Sequence, residues 1–168
     1  MDVVIGLGSN LADRRRTLIS AVHGMRAFVE VTVISALYET EAVGPPQPDY
    51  LNAAVRAVYA GSDAFSLLDR LLDLERAFGR QRRERWAPRT LDLDILWILG
   101  LELTTPMLTV PHPRLAERRF ALEPFLDVAE DAAHPSSGER YRDVLSRLPP
   151  ARISKVAGPG WTEGVQCR

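Results

Sequence analysis

The chain has 168 residues, 46% of them hydrophobic, which is enough for one domain with a real core and short for two. Its net charge of −1 gives no global attraction for nucleic acid or an anionic membrane, so any basic character is local. Cys167 is the only cysteine, which excludes an intrachain disulfide and suits a reducing compartment.

No apolar run approaches the length of a membrane span, and the N-terminus starts directly with a strand, leaving no room for a signal peptide. The expectation is a cytoplasmic, monomeric protein with small-molecule partners. There is no internal repeat and no low-complexity segment. Residues 3–7 form a short apolar strand, and Gly6-Leu7-Gly8-Ser9-Asn10 is the turn that leaves it. Asn10 is placed to cap a helix over residues 11–28, with Asp13 near its positive end and Leu18, Ile19, Val22, Met25 and Phe28 at helical spacing. The glycines lack the spacing and the lysine of a nucleotide fingerprint, so a structural turn is the better reading.

Residues 30–39 are rich in β-branched side chains and read as one strand. Residues 40–49 form a loop stiffened by three prolines. Residues 50–59 are a further strand, with Tyr50, Asn52, Ala54 and Arg56 on one face. An amide carries both donor and acceptor and can read a heterocycle edge, and Tyr50 offers a stacking surface beside it. Residues 64–78 form an amphipathic helix with Leu67, Leu68, Leu71, Leu72 and Leu74 as its core stripe and Gly79 as its stop.

Next comes a run of arginines (Arg80, Arg82, Arg83, Arg85, Arg89) broken by Trp86 and Pro88, leading into the strand 90–99. In a strand Asp92 and Asp94 share a face while Leu91, Leu93 and Ile95 point the other way. Two such carboxylates lie roughly 7 Å apart at Cα and can converge on divalent cations. The bland alternative is a pair of surface aspartates on an amphipathic strand. Asp is disfavoured in strands, however, and this one becomes apolar on both faces from Ile95 onward. Carboxylates, a hard cation and bidentate arginines together point to a nucleoside triphosphate.

Residues 100–105 form a hairpin turn, and Pro111-His112-Pro113-Arg114 fixes the backbone around a histidine. Arg114, Arg118 and Arg119 form a second basic group next to Phe120. Helices follow, then a proline- and glycine-rich tail over 149–168 that is expected to wander over the surface. The order strand, helix, strand, strand, helix, strand predicts one α+β domain over 1–168. Its pattern is ferredoxin-like βαββαβ, an antiparallel sheet with helices on one face, the other face free for a ligand, and additional C-terminal elements.

The chain resembles 6-hydroxymethyl-7,8-dihydropterin pyrophosphokinase, a folate-pathway enzyme moving pyrophosphate from ATP to a pterin alcohol. Three blocks carry the resemblance. They are Gly8-Ser9-Asn10-Leu11 with Pro48-Asp49-Tyr50-Leu51-Asn52; Gly79-Arg80 through Pro88-Arg89-Thr90-Leu91-Asp92-Leu93-Asp94; and Val110-Pro111-His112-Pro113-Arg114 with Glu117-Arg118 and Phe120. The resemblance implies that Asp92 and Asp94 hold two Mg2+ ions against ATP, acting with Arg80 and Arg89 in catalysis. It implies that Tyr50 and Phe120 sandwich the pterin, with Asn52, Thr40, Val43 and Trp86 completing its site. Glu75, Arg82, Trp86, Arg89, Ile95, Thr109, His112 and Arg118 would line the ATP side. Leu72 and Met107 stand where some members have a polar ATP contact. Two rival readings remain, an RNA-binding module of the same strand order and a metal-dependent nucleotidyltransferase.

Overall fold

The computed structural model describes residues 1–42, 45–79 and 90–163. β1 (Asp2–Ser9) lies inside a mixed-length antiparallel sheet, between β4 (Tyr50–Val58) and β5 (Asp92–Ile98). β2 (Glu30–Ile34) and β3 (Leu37–Thr40) both pair with β4, and β8 (Ile153–Ala157) adds to β3. A small separate hairpin pairs β6 (Leu103–Thr104) with β7 (Thr109–Val110). The helices are α1 (Arg14–Met25), α2 (Ala64–Ala77), α3 (Arg119–Val128) and α4 (Tyr141–Arg147). None of the described helices is long and apolar enough to cross a membrane.

Several expected boundaries move, each for a local reason. Gly6 to Ser9 belong to β1 rather than to a turn, because both neighbouring strands supply ladder partners as far as Gly8. The cap of α1 is Asp13, whose carboxylate accepts from Arg16 N at 3.0 Å. Asn10 is instead buried, and its Nδ2 donates to Gln47 Oε1 and to the Pro48 carbonyl at 2.9 and 3.2 Å. The single strand expected over 30–39 is two strands. Between them Ser35 Oγ accepts from Ala54 N at 2.8 Å, so a side chain takes the place of a ladder bond where the chain bends. The described part of the tail, up to residue 163, does not wander: β8 extends the sheet, and buried Trp161 donates from Nε1 to the Ser35 carbonyl at 2.9 Å.

α2 behaves as its sequence asks. Asp63 accepts from Phe65 N and Ser66 N, and Gly79 ends the turn at φ +75°, a conformation that glycine adopts without penalty.

Each face of the sheet carries its own core. α1 and α2 pack on one face, around Val3, Ile5, Leu7, Val55, Leu67, Leu71, Leu93 and Ile95. The opposite face was expected to be free, and about half of it is not. Val4, Ala54, Leu96 and Trp97 lie under Leu115, Leu122, Phe125 and Tyr141 of the C-terminal elements. A register shift between β1 and β5 makes Leu96 the extra residue of a bulge, which turns both Leu96 and Trp97 to this side. Phe125 packs edge-on against Trp97 at 6.3 Å and Tyr141 at 5.1 Å. An apolar patch of that size needs a cover, and α3 supplies it. Asp127 then ties α3 to the sheet by accepting from Tyr38 OH at 2.9 Å and Ala36 N at 3.0 Å.

Candidate active site

The uncovered half of that face is where the polar residues gather. In the middle strand Gly6 pairs with Ala54 on one side and Asp94 on the other, and Gly8 pairs with Asn52 and Asp92. Two glycines at alternate positions leave the strand between Asn52 and the aspartates without side chains on this face. Over Gly6 that space is filled by the Leu96 side chain, 3.1 Å from where a Cβ would stand, and at Gly8 it is a trough about two strand spacings wide, roughly 9.5 Å. A methyl group added at Gly8 would stand 3.2 Å from Asn52 Oδ1 and 3.9 Å from the Asp92 Cβ.

The trough is part of a cleft of about 580 Å³. Tyr50 lies at one wall and Phe120, at the start of α3, at another; both are half-buried. Asn52 is buried, and its Nδ2 donates to Thr40 Oγ1 at 2.7 Å, which fixes the amide plane. Leu148, Pro149, Pro150 and Ala151 close one side, although sequence reasoning had placed this stretch at the edge of an irregular tail. They are held there by Arg119, which donates to the Leu148 carbonyl at 3.1 Å, and by Arg152, whose carbonyl accepts from Glu41 N and whose guanidinium pairs with Asp49 at 3.2 Å.

A narrower cleft of about 250 Å³ lies across β5, lined by Leu68, Ile95, Thr105, Met107, Thr109 and their neighbours. Asp94, His112 and Pro113 line both clefts, so the two meet there. His112 is anchored by its backbone, which donates to the Leu96 carbonyl at 2.8 Å, and its Nδ1 accepts from Arg114 N at 3.2 Å. Burial, reinforced by the Arg118 charge, holds the imidazole below its ordinary range and so favours the neutral ring. Arg118 sits with its guanidinium 5.6 Å from the Phe120 ring centre. Burial and the Arg114 charge lower its pKa from the usual arginine value, while Asp94 and Asp92 oppose that shift.

The donor set sets limits on a metal. Among the described residues no group of three or more His, Cys, Asp or Glu side chains gathers to enclose a cation. Two carboxylates on one strand face fit Mg2+, which uses one or two carboxylates and completes its shell with water and phosphate oxygens. They do not fit a cation that needs a full protein cage.

Of the residues singled out in the sequence, Thr40, Tyr50, Asn52, Asp92, Asp94, His112, Arg118 and Phe120 line the wide cleft, and Ile95 and Thr109 the narrow one. Glu75 lines neither: it is buried and accepts from Leu93 N at 2.7 Å. Val43, Arg80, Arg82, Trp86 and Arg89 lie outside the described residues. The room left beside Asn52 and Asp92 by Gly8, and over Gly6 for Leu96, was missed. The signal that could have found it is a pair of glycines two apart inside an apolar strand.

Residues 4–130 match the family model for 7,8-dihydro-6-hydroxymethylpterin-pyrophosphokinase. The chain belongs to that family. It is 38% identical over 159 residues to a 2-amino-4-hydroxy-6-hydroxymethyldihydropteridine pyrophosphokinase of Synechocystis, covering 94% of this chain and 80% of the relative. An enzyme of the same name from Bacillus subtilis is 42% identical over 129 residues, covering 75% of this chain and 77% of the relative. The fold is similar to a crystal structure of HPPK-DHPS in complex with substrates, with a TM-score of 0.70 at 12% identity. That match covers 86% of this chain and 42% of the other, so the pyrophosphokinase chain spans less than half of that protein.

Proposed function

We propose that the wide cleft takes the hydroxymethyl pterin, that the narrow one takes the adenosine end of ATP, and that the phosphate chain lies where they meet. The activity itself follows from family membership: pyrophosphate passes to 6-hydroxymethyl-7,8-dihydropterin in folate synthesis. The shared border carries the rest of the reading, because Asp94 and His112 line both clefts and Asp92 stands one pleat away.

In this arrangement Tyr50 and Phe120 flank the flat bicycle, and Asn52, braced by Thr40, reads its edge. The glycine floor lets the ring lie against the backbone of β1. Ile95 and Thr109 receive the base and ribose, and neutral His112 and cationic Arg118 face the phosphates. Asp92 and Asp94 are the residues that would hold Mg2+, two ions with ATP, which would supply neutralisation of the phosphate charge. The pterin oxygen forms a bond to the β-phosphorus as the bond from that phosphorus to the α,β-bridging oxygen breaks. AMP leaves with the bridging oxygen, and the hydroxyl proton passes to solvent. The work of the chain is to align these atoms and exclude water. Arg80, Arg82, Trp86, Arg89 and Val43 are assigned to the same site on the resemblance alone.

The strand order from β1 to β5 supports a ferredoxin-like βαββαβ unit with C-terminal additions. An RNA-binding module of this strand order would use the sheet face that α3 and α4 half cover here. The test is AMP formation from ATP and Mg2+ with and without the pterin. Pterin-dependent AMP is expected, falling by about 10²–10³-fold in Asp92→Ala and Asp94→Ala as a metal ligand is lost. Pyrophosphate release without pterin would indicate a nucleotidyltransferase and end this reading.

A further inference from the structure

α2 sends one carboxylate into the interior. Glu75 is 1% exposed, and its Oε1 accepts a 2.7 Å hydrogen bond from the backbone N–H of Leu93, the residue between Asp92 and Asp94. β5 ends the sheet: β1 pairs with it along one edge, and among the described residues no strand pairs with the other. An edge strand is held by one ladder only, and a slip or rotation by one residue would exchange its faces. This strand also carries two like charges roughly 7 Å apart, a pattern that strands disfavour. Burying a carboxylate is costly unless it is hydrogen-bonded, so its presence at this amide calls for a reason beyond filling space.

We propose that Glu75 is the positioning residue of the aspartate pair. By fixing the Asp92–Leu93 peptide from the open edge, it keeps both carboxylates turned to the cleft while the Leu93 side chain is buried in the opposite core. The inference rests on Asp92 and Asp94 being the metal-holding pair. It replaces, for Glu75, the direct nucleotide contact that the resemblance implies. Glu75 acts through Leu93 and touches no reacting atom.

The test compares Glu75→Gln, which keeps an acceptor for Leu93 N, with Glu75→Ala, which removes it. Amide hydrogen exchange of Leu93 in the ligand-free proteins reads the bond directly. It is expected to be slow in the native chain and in Glu75→Gln and about tenfold or more faster in Glu75→Ala. In the AMP assay Glu75→Gln keeps the Mg2+ concentration for half-maximal rate within about threefold, whereas Glu75→Ala raises it about tenfold. At saturating Mg2+ the KM for ATP stays near the native value in both. Unchanged Leu93 exchange in Glu75→Ala would overturn the proposal, as would Glu75→Gln matching Glu75→Ala in a raised KM for ATP. If Glu75→Ala does not fold, the native protein still decides: a Leu93 amide exchanging as fast as a solvent-exposed edge amide rules the bond out. A native chain without pterin-dependent AMP would instead strike at the proposed function and leave the exchange result standing.

Discussion

At the scale of single residues, the site depends as much on side chains that are missing as on those present. Gly8 has Asn52 on one side and Asp92 on the other, and a methyl group there would press on Asn52 Oδ1 at 3.2 Å. Gly8→Ala is therefore expected to raise the KM for the pterin about tenfold, equivalent to roughly 1.4 kcal/mol, with the KM for ATP little changed. Equal rises in both constants would mean that the floor of β1 is not the pterin's resting place. The aspartates were legible in the sequence because two acidic residues in one apolar strand break the composition of strands. The glycines were not, because at the end of a short apolar run Gly6-Leu7-Gly8 reads equally well as a turn. Only the pairing of β1 on both edges shows it to be the middle of a trough.

At the scale of elements, α3 joins the two halves of one face. Phe120, in its first turn, lines the cleft, and five residues on Phe125 is fully buried between Trp97 and Tyr141. Phe125→Ala is expected to cost about 3–5 kcal/mol of stability, measured by urea unfolding. A loss below about 1 kcal/mol would mean that the second core does not hold α3 in place. α2 was readable from its period, its Asp63 cap and Gly79, and α1 from its period, while the central strands were readable as short apolar runs whose bounds only the pairing settles. The second core was not, because its members come from four separate stretches (β1, β4, the bulge of β5 and the C-terminal helices) and none of these carries the pattern alone. The tail was misread for a similar reason: prolines at 149 and 150 forbid regular structure locally, yet the next residues pair with β3, whose edge no local signal announces.

At the scale of the whole molecule, two clefts, one on each side of a short strand, share their charged border. That border responds to pH through His112. Burial and Arg118 hold its pKa in the folded state below the ordinary 6.5, so the unfolded chain binds the proton more readily. Stability from the neutral ring is therefore full above pH 6.5 and is lost as pH falls from there toward the lowered folded value. Urea midpoints measured across that window should fall in the native chain and fall less in His112→Gln; parallel curves would refute the assignment. The most direct test of the account follows the phosphorus atoms of ATP. With label at the β-position, the native enzyme is predicted to place that label in the pterin product, and with label at the α-position, in AMP. β-Label found in ADP or in free pyrophosphate would contradict it.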